Sequence, residues 1–261
     1  VADPMHQFEV QKIVDLPDVS IPGLGVIDMA ITNSTVAMMI AAGVIIAFMT
    51  LVTSRAAVVP GRTQVVGEML FGLVDNLAES IIGHEGRKFF PFIFTLFLFI
   101  LAMNFLGLFL VFTATSQLAV TATLAAMTIL VVLFVGFARH GLGFFKLFIP
   151  SGVPLVLLPI IALIELISFM LRPVTLALRL FGNMMGGHVA LKVFAGFVVS
   201  LGAMAAGGGL GLLGIPGAML SLGGVVALTA LEFLVAFLQA FVFTVLTCIY
   251  LNDVVNLGHG H

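Results

Sequence analysis

The stretch LRPVTLALRLFGNMMGGHVALK, Leu171 to Lys192, lies in a very apolar part of the chain yet carries Arg172, Arg179, Asn183, His188 and Lys192. An arginine never sheds its proton in a protein, and in a membrane core it costs about 2.5 to 3.5 kcal/mol on insertion scales. Something must offset that cost. Glu165, Arg172 and Arg179 are each seven residues apart, so on a helix they drift by only about 20° per step and share one stripe. Asn183, four beyond Arg179, falls on the same stripe, whereas His188, nine beyond, points to the opposite side. Further on, Glu232 and Gln239 are again seven apart and make a second polar stripe that could face the first. A histidine and a carboxylate can exchange protons near neutral pH once their surroundings tune them. An arginine cannot relay protons, but it can block them and can draw a carboxylate into its ionised form. The chemistry within reach is ion translocation.

Each residue also has a plainer reading. Arg172 could be a structural partner for Glu165, and Lys192 could snorkel to the interface. Asn183 and Gln239 could be hydrogen-bonding glue between helices, and Gly182, Gly186 and Gly187 a small-residue packing surface. His188 and Glu232 could simply satisfy one another. Arg179 is harder to excuse. From Pro154 to Asn252 the other charges are Glu165, Arg172, Lys192 and Glu232, and none is evidently reserved for it. That leaves open a partner on another chain.

These residues need helices in a bilayer to hold them. The chain has 261 residues, 61% hydrophobic and 8% charged, against about 25% charged in soluble domains. Its apolar residues come in long uncharged runs and not in alternating segments, so the expected fold class is an all-α integral membrane protein. About five membrane-embedded helices are expected, plus one amphipathic surface helix. Segment 1–30 precedes a first transmembrane helix in 31–54. In 63–82, Val66, Met69, Leu70, Leu73 and Leu77 recur at helical spacing beside Gln64, Glu68, Asp75 and Glu79, so this helix should lie on the membrane surface or against a partner. A helical hairpin fills 89–138, broken by the polar TATSQ at Thr113 to Gln117. Segment 154–254 then makes two overlong helices joined by a glycine-rich turn. A run of roughly 45 residues reaches about 67 Å, more than twice the hydrocarbon thickness, so this hairpin must be strongly tilted unless Pro173 breaks it.

Arg55, Arg62, Arg87, Lys88, Arg139 and Lys146 fall in connections on one side, which the positive-inside rule makes cytoplasmic. The N-terminus is then periplasmic, the C-terminus cytoplasmic, and the location a bacterial inner membrane. Residues 1–28 hold five acids and one lysine without an apolar core, so no cleavable signal peptide is expected. Cys248 is the single cysteine, best read as a small buried hydrophobe.

Three segments carry a family resemblance: PIIALIELISFMLRPVTLALRLFGNMMGGH, LEFLVAFLQAFVFTVLTCIYLND and NFLGL at Asn104 to Leu108. Together with the HQFEV start and the amphipathic second helix, they resemble subunit a of F-type ATP synthases over essentially the whole chain. The resemblance implies a non-catalytic stator beside a rotating ring of c subunits, with two half-channels and a peripheral stalk of b-type subunits holding the amphipathic helix. Arg179 matches the essential arginine facing the ring carboxylate. His188 and Glu232 match the inlet pair, Gln239 and Asn183 the polar flanks of the arginine, and Glu165 the cytoplasmic outlet. Arg172 and Asn104 are further members of the set. Some members carry a carboxylate three residues after the asparagine where this chain has Gly107, so the inlet here should lean on His188, Glu232 and water.

Two rival readings belong to other classes. A secondary transporter would act alone and would usually show two related halves with broken helices, and no repeat is visible. An assembly scaffold without translocation would tolerate neutral substitutions at Arg179, Glu232 and His188. An intramembrane enzyme is disfavoured because neither H-E-x-x-H nor G-x-S-x-G occurs. No cofactor, metal or nucleic-acid partner is expected, and the terminal GHGH reads as a solvated tail.

Overall fold

The computed structural model describes residues 11–15, 19–21, 25–27, 30–54, 57–109, 114–149, 157–207 and 214–257. The HQFEV start, Arg55, residues 208–213 of the glycine-rich turn and the terminal GHGH lie outside the described residues. Among the described residues six α-helices follow two small strand ribbons. In chain order the helices are α1 (Asn33–Ser54), α2 (Arg62–Ile82), α3 (Gly86–Phe109), α4 (Leu118–His140), α5 (Leu158–Ala206) and α6 (Gly214–Val255). By length and composition α1, α4, α5 and α6 can each cross a bilayer, as can the stretch Arg62–Phe109 that holds α2 and α3. The expected all-helical membrane class holds.

The ribbons are an addition to that class. β1 (Lys12–Asp15) pairs antiparallel with β4 (Ala30–Thr32), and β2 (Val19–Ile21) with β3 (Gly25–Ile27). Alternation over three or four residues is too short to distinguish from an irregular acidic segment by sequence. The Asn33 side chain closes the junction with α1 by accepting from the backbone N–H of Gln11 and of Ser34.

The long helices run on because nothing stops them. Pro159 sits in the first turn of α5, where its missing N–H is no loss. Pro173 is accommodated inside the helix, which continues for 49 residues. At 1.5 Å per residue that is about 73 Å, so α5 fits within a hydrocarbon layer of about 30 Å only at a steep inclination. α4 stops at Gly141, whose φ of 52° suits a residue without a Cβ and whose N–H caps the Phe137 carbonyl.

Packing gathers these helices around the hairpin of α5 and α6. Phe97, Ile93 and Ile100 of α3, Val132 of α4, Leu176 and Leu180 of α5, and Phe243 and Leu251 of α6 are buried in one core. Helix α2 lays Val74, Ala78 and Ile82 on that core while Val66 and Met69 stay exposed. Its apolar stripe is therefore shared between the chain and its surroundings. Beneath α4, Phe144 packs between Phe137, Phe148 and Phe169, and the start of α3 is tied to the end of α4 by Glu85. That carboxylate accepts from Arg139 at 2.5 Å and from Lys88 at 3.0 Å.

Candidate functional site

Helices α5 and α6 run antiparallel, and their facing polar residues form rungs. From the open end of the hairpin inward the rungs are Arg172 with Asp253, Asn183 with Gln239, and Gly187 with Glu232. Arg172 and Gly187 are fifteen positions apart on α5, about 22 Å along its axis. The two polar stripes expected from seven-residue spacing do meet, and Arg179 lies between the first rung and the second.

Arg179 itself is exposed. Leu171, Val174, Thr175, Leu178, Arg179, Gly182, Asn183 and Gly186 are exposed, whereas Phe169, Leu176, Ala177, Leu180 and Met184 are buried. These two sets alternate at three- and four-residue intervals, as the two faces of one helix must. Among the described residues Arg179 makes no hydrogen bond or ion pair. The face around it is low as well as apolar: a Cβ on Gly182 or Gly186 would meet nothing of this chain within 4 Å. Gly187 departs from the expected packing surface, because it faces inward toward α6.

The Arg172 rung corrects the charge ledger read from the sequence. Its guanidinium donates to Asp253 Oδ2 at 2.7 Å and also lies 3.6 Å from Glu165 Oε1. It is further held over the rings of Tyr250 and Phe169, at 5.0 and 5.3 Å. Counting charges only as far as Asn252 left out the carboxylate that satisfies Arg172 most closely. The signal was in the sequence: Asp253 stands two heptads beyond Gln239 on the same stripe. Replacing Arg172 with alanine should weaken the α5–α6 joint by about 2 kcal/mol, the scale of a hydrogen bond to a charged group. Heating the detergent-solubilised complex should release the variant at a lower temperature than the parent, with Arg172→Lys in between. An unchanged release temperature would show the rung to be idle.

The remaining rungs form a polar layer. Asn183 Nδ2 donates to Gln239 Oε1 at 2.8 Å. Asn104, fully buried on α3, donates from Nδ2 to the Ala236 carbonyl at 3.1 Å, which places it against the turn of α6 between Glu232 and Gln239. Glu232 rests over Gly187, the neighbour of His188. A Cβ built on Gly187 would stand 3.1 Å from the Glu232 carboxyl carbon and nearer still to Oε1. Asn104, Asn183, Gln239 and Glu232 thus lie along one stretch of the α5–α6 joint, and His188 follows Gly187 in the chain. Glu165 and Arg172 sit apart at the Asp253 end. Among the described residues no group of three metal-ligating side chains occurs.

A family model described as ATP synthase A chain matches residues 35–252. The chain belongs to this ATP synthase family. Its relatives are similar over their full length. ATP synthase subunit a of Rhizobium etli (strain CIAT 652) is 51% identical over 260 residues, covering 99% of both chains. The subunit a of Chelativorans sp. (strain BNC1) is 50% identical over 258 residues, and that of Brucella suis (strain ATCC 23445 / NCTC 10510) is 49% identical over the same length. The family resemblance stated from motifs is therefore correct. As a subunit a family member the chain is a non-catalytic, multi-pass membrane part of an ATP synthase. Every rung residue lies inside the family match except Asp253, which falls one position past its end.

Proposed function

We propose that this subunit a chain is the stationary half of a proton-driven rotor, and that the exposed face of α5 lies against a ring of small subunits that each carry a membrane carboxylate. The observation that supports this most directly is Arg179. It is a permanent charge on an exposed, glycine-flanked apolar face, with no partner among the described residues. A carboxylate arriving on another chain would give it the partner that its insertion cost demands.

In this reading protons enter from the N-terminal, periplasmic side past Asn104, Glu232 and His188, and neutralise a ring carboxylate near Asn183 and Gln239. They leave on the C-terminal, cytoplasmic side past Glu165 and Arg172. The order of the rungs supports it, since Glu232 and Arg172 lie on opposite sides of Arg179 along the hairpin. Arg179 then serves twice. It releases the outgoing proton by stabilising the ionised ring carboxylate, and it bars direct passage between the two paths. Each charge crossing the membrane yields about 2.3 kcal/mol per 100 mV, so several must pass for each ATP made. The exposed Val66 and Met69 of α2 would meet the peripheral stalk.

Cysteine cross-linking tests the docking directly. In a Cys248→Ala background, cysteines at Leu178 and Gly182 are expected to form disulfides with cysteines on the outer helix of the ring. Cysteines at the buried Ala177 and Leu180 are not. Cross-links from both faces, or from neither, would dismiss this face as the ring contact.

A further inference from the structure

Connections between membrane helices ordinarily lie at the water interface, because backbone polar groups need partners there. The turn between α3 and α4 does not. Ala114, Thr115 and Ser116 are 2%, 0% and 3% exposed. Ala114 packs in a cluster with Met103 of α3, Val120 of α4 and Ala41 of α1, and the turn also contacts α5. It is folded down among the helices, in one cluster with Met103, the residue before Asn104.

The Thr115 Oγ1 is buried there and finds no hydrogen-bond partner among the described residues. Three other buried side-chain atoms share that condition: Asn104 Oδ1, Glu232 Oε2 and Gln239 Nε2. All four lie on the turn, on α3 beside Ala236, or on the α6 segment that includes Ala236. In a membrane core such groups are normally satisfied, and roomy polar sites without protein partners take ordered water. Two acceptors, one amide donor and one hydroxyl, which both donates and accepts, are a complementary set for a short water chain.

We propose that Thr115 is a relay residue of the proton inlet, its hydroxyl joining the waters that link the N-terminal face of the membrane to Glu232. This rests on the inlet reading given above. A proton arriving on the outer water is accepted at Oγ1 as the hydroxyl proton passes to the next water, so the hydroxyl ends with one proton as it began. The last water hands its proton to the Glu232 carboxylate.

The test uses the whole complex in membranes stripped of the catalytic sector, reading passive proton conduction. Thr115→Val keeps the shape and removes the hydroxyl, and conduction is expected to fall about tenfold, the effect of 1.4 kcal/mol on a barrier. Thr115→Ser is expected to restore it. Parental conduction in Thr115→Val overturns the proposal, and so does a fall that serine fails to restore, since that marks packing alone. A second arm is decisive even if the valine variant does not assemble. Thr115→Cys in a Cys248→Ala background should be blocked by silver ion, an aqueous thiol reagent, and an unaffected rate would mean that the site is dry. Glu232→Gln separates the two levels. If it conducts normally, the inlet reading itself fails; if it is blocked while Thr115→Val conducts normally, only the Thr115 proposal falls.

Discussion

Arg179→Ala is expected to assemble normally and to lose ATP-driven proton uptake by inverted membranes, falling at least about 100-fold, or 2.7 kcal/mol in barrier terms. Assembly should survive because Arg179 holds nothing of this chain together: its face is exposed, and among the described residues it makes no hydrogen bond or ion pair. Removing it even deletes an insertion cost. Pumping should not survive, because a ring carboxylate passing this face would no longer meet a cation that ionises it. Arg179→Lys is expected to recover little, since an ammonium is a strongly hydrated point charge and not a planar fork. The measurement compares proton uptake with the amount of subunit in the purified complex. An alanine variant that assembles and pumps like the parent would make the arginine structural and end the mechanism proposed above.

Gly187→Val is the second large effect, and it acts through a neighbour. The new side chain would occupy the seat of the Glu232 carboxyl, whose carbon is 3.1 Å from the position of a Cβ on residue 187. Overpacking of that kind costs about 1–3 kcal/mol and moves the side chain that yields more easily. Here that is Glu232, since the backbone of α5 is fixed by the Asn183–Gln239 and Arg172–Asp253 rungs on one side of it. Proton uptake is expected to fall about tenfold or more. The diagnostic result is non-additivity: Gly187→Val with Glu232→Gln should be no worse than Glu232→Gln alone, because both remove one function. Losses that multiply would show that Gly187 matters for something other than the carboxylate.

The contrast between these two residues explains how much could be read from the chain. Arg179 was legible because its charge is permanent and its surroundings apolar, so no fold excuses it. Five membrane helices were legible because uncharged runs of bilayer length have few other solutions. The direction in which Gly187 faces was not legible, since three glycines within six residues all read as small surfaces, and only the helix phase against α6 separates Gly187 from Gly182 and Gly186. Asp253 was missed because it sits just beyond an apolar run, where a charge reads as a helix end, although it is the closest partner of Arg172. Thr115 was seen only as part of a polar turn. Spacing says nothing about whether a turn stands in water or folds back between helices, and the partners that decide this come from α1, α3, α4 and α5. The ribbons of residues 12–32 fell below the length at which alternation is informative.

Gly182 and Gly186 carry a mechanical consequence. Packed helices resist sliding because side-chain ridges seat in facing grooves, and each seat is a detent that a moving partner must climb out of. Along the exposed face of α5 the track on the C-terminal side of Arg179 has bare backbone where such teeth would stand, whereas Leu171, Val174 and Leu178 stand on its other side. A rotor docked as proposed would meet a toothed stretch up to Arg179 and a smooth one beyond it, so the steric resistance to each step would fall as the charge is passed.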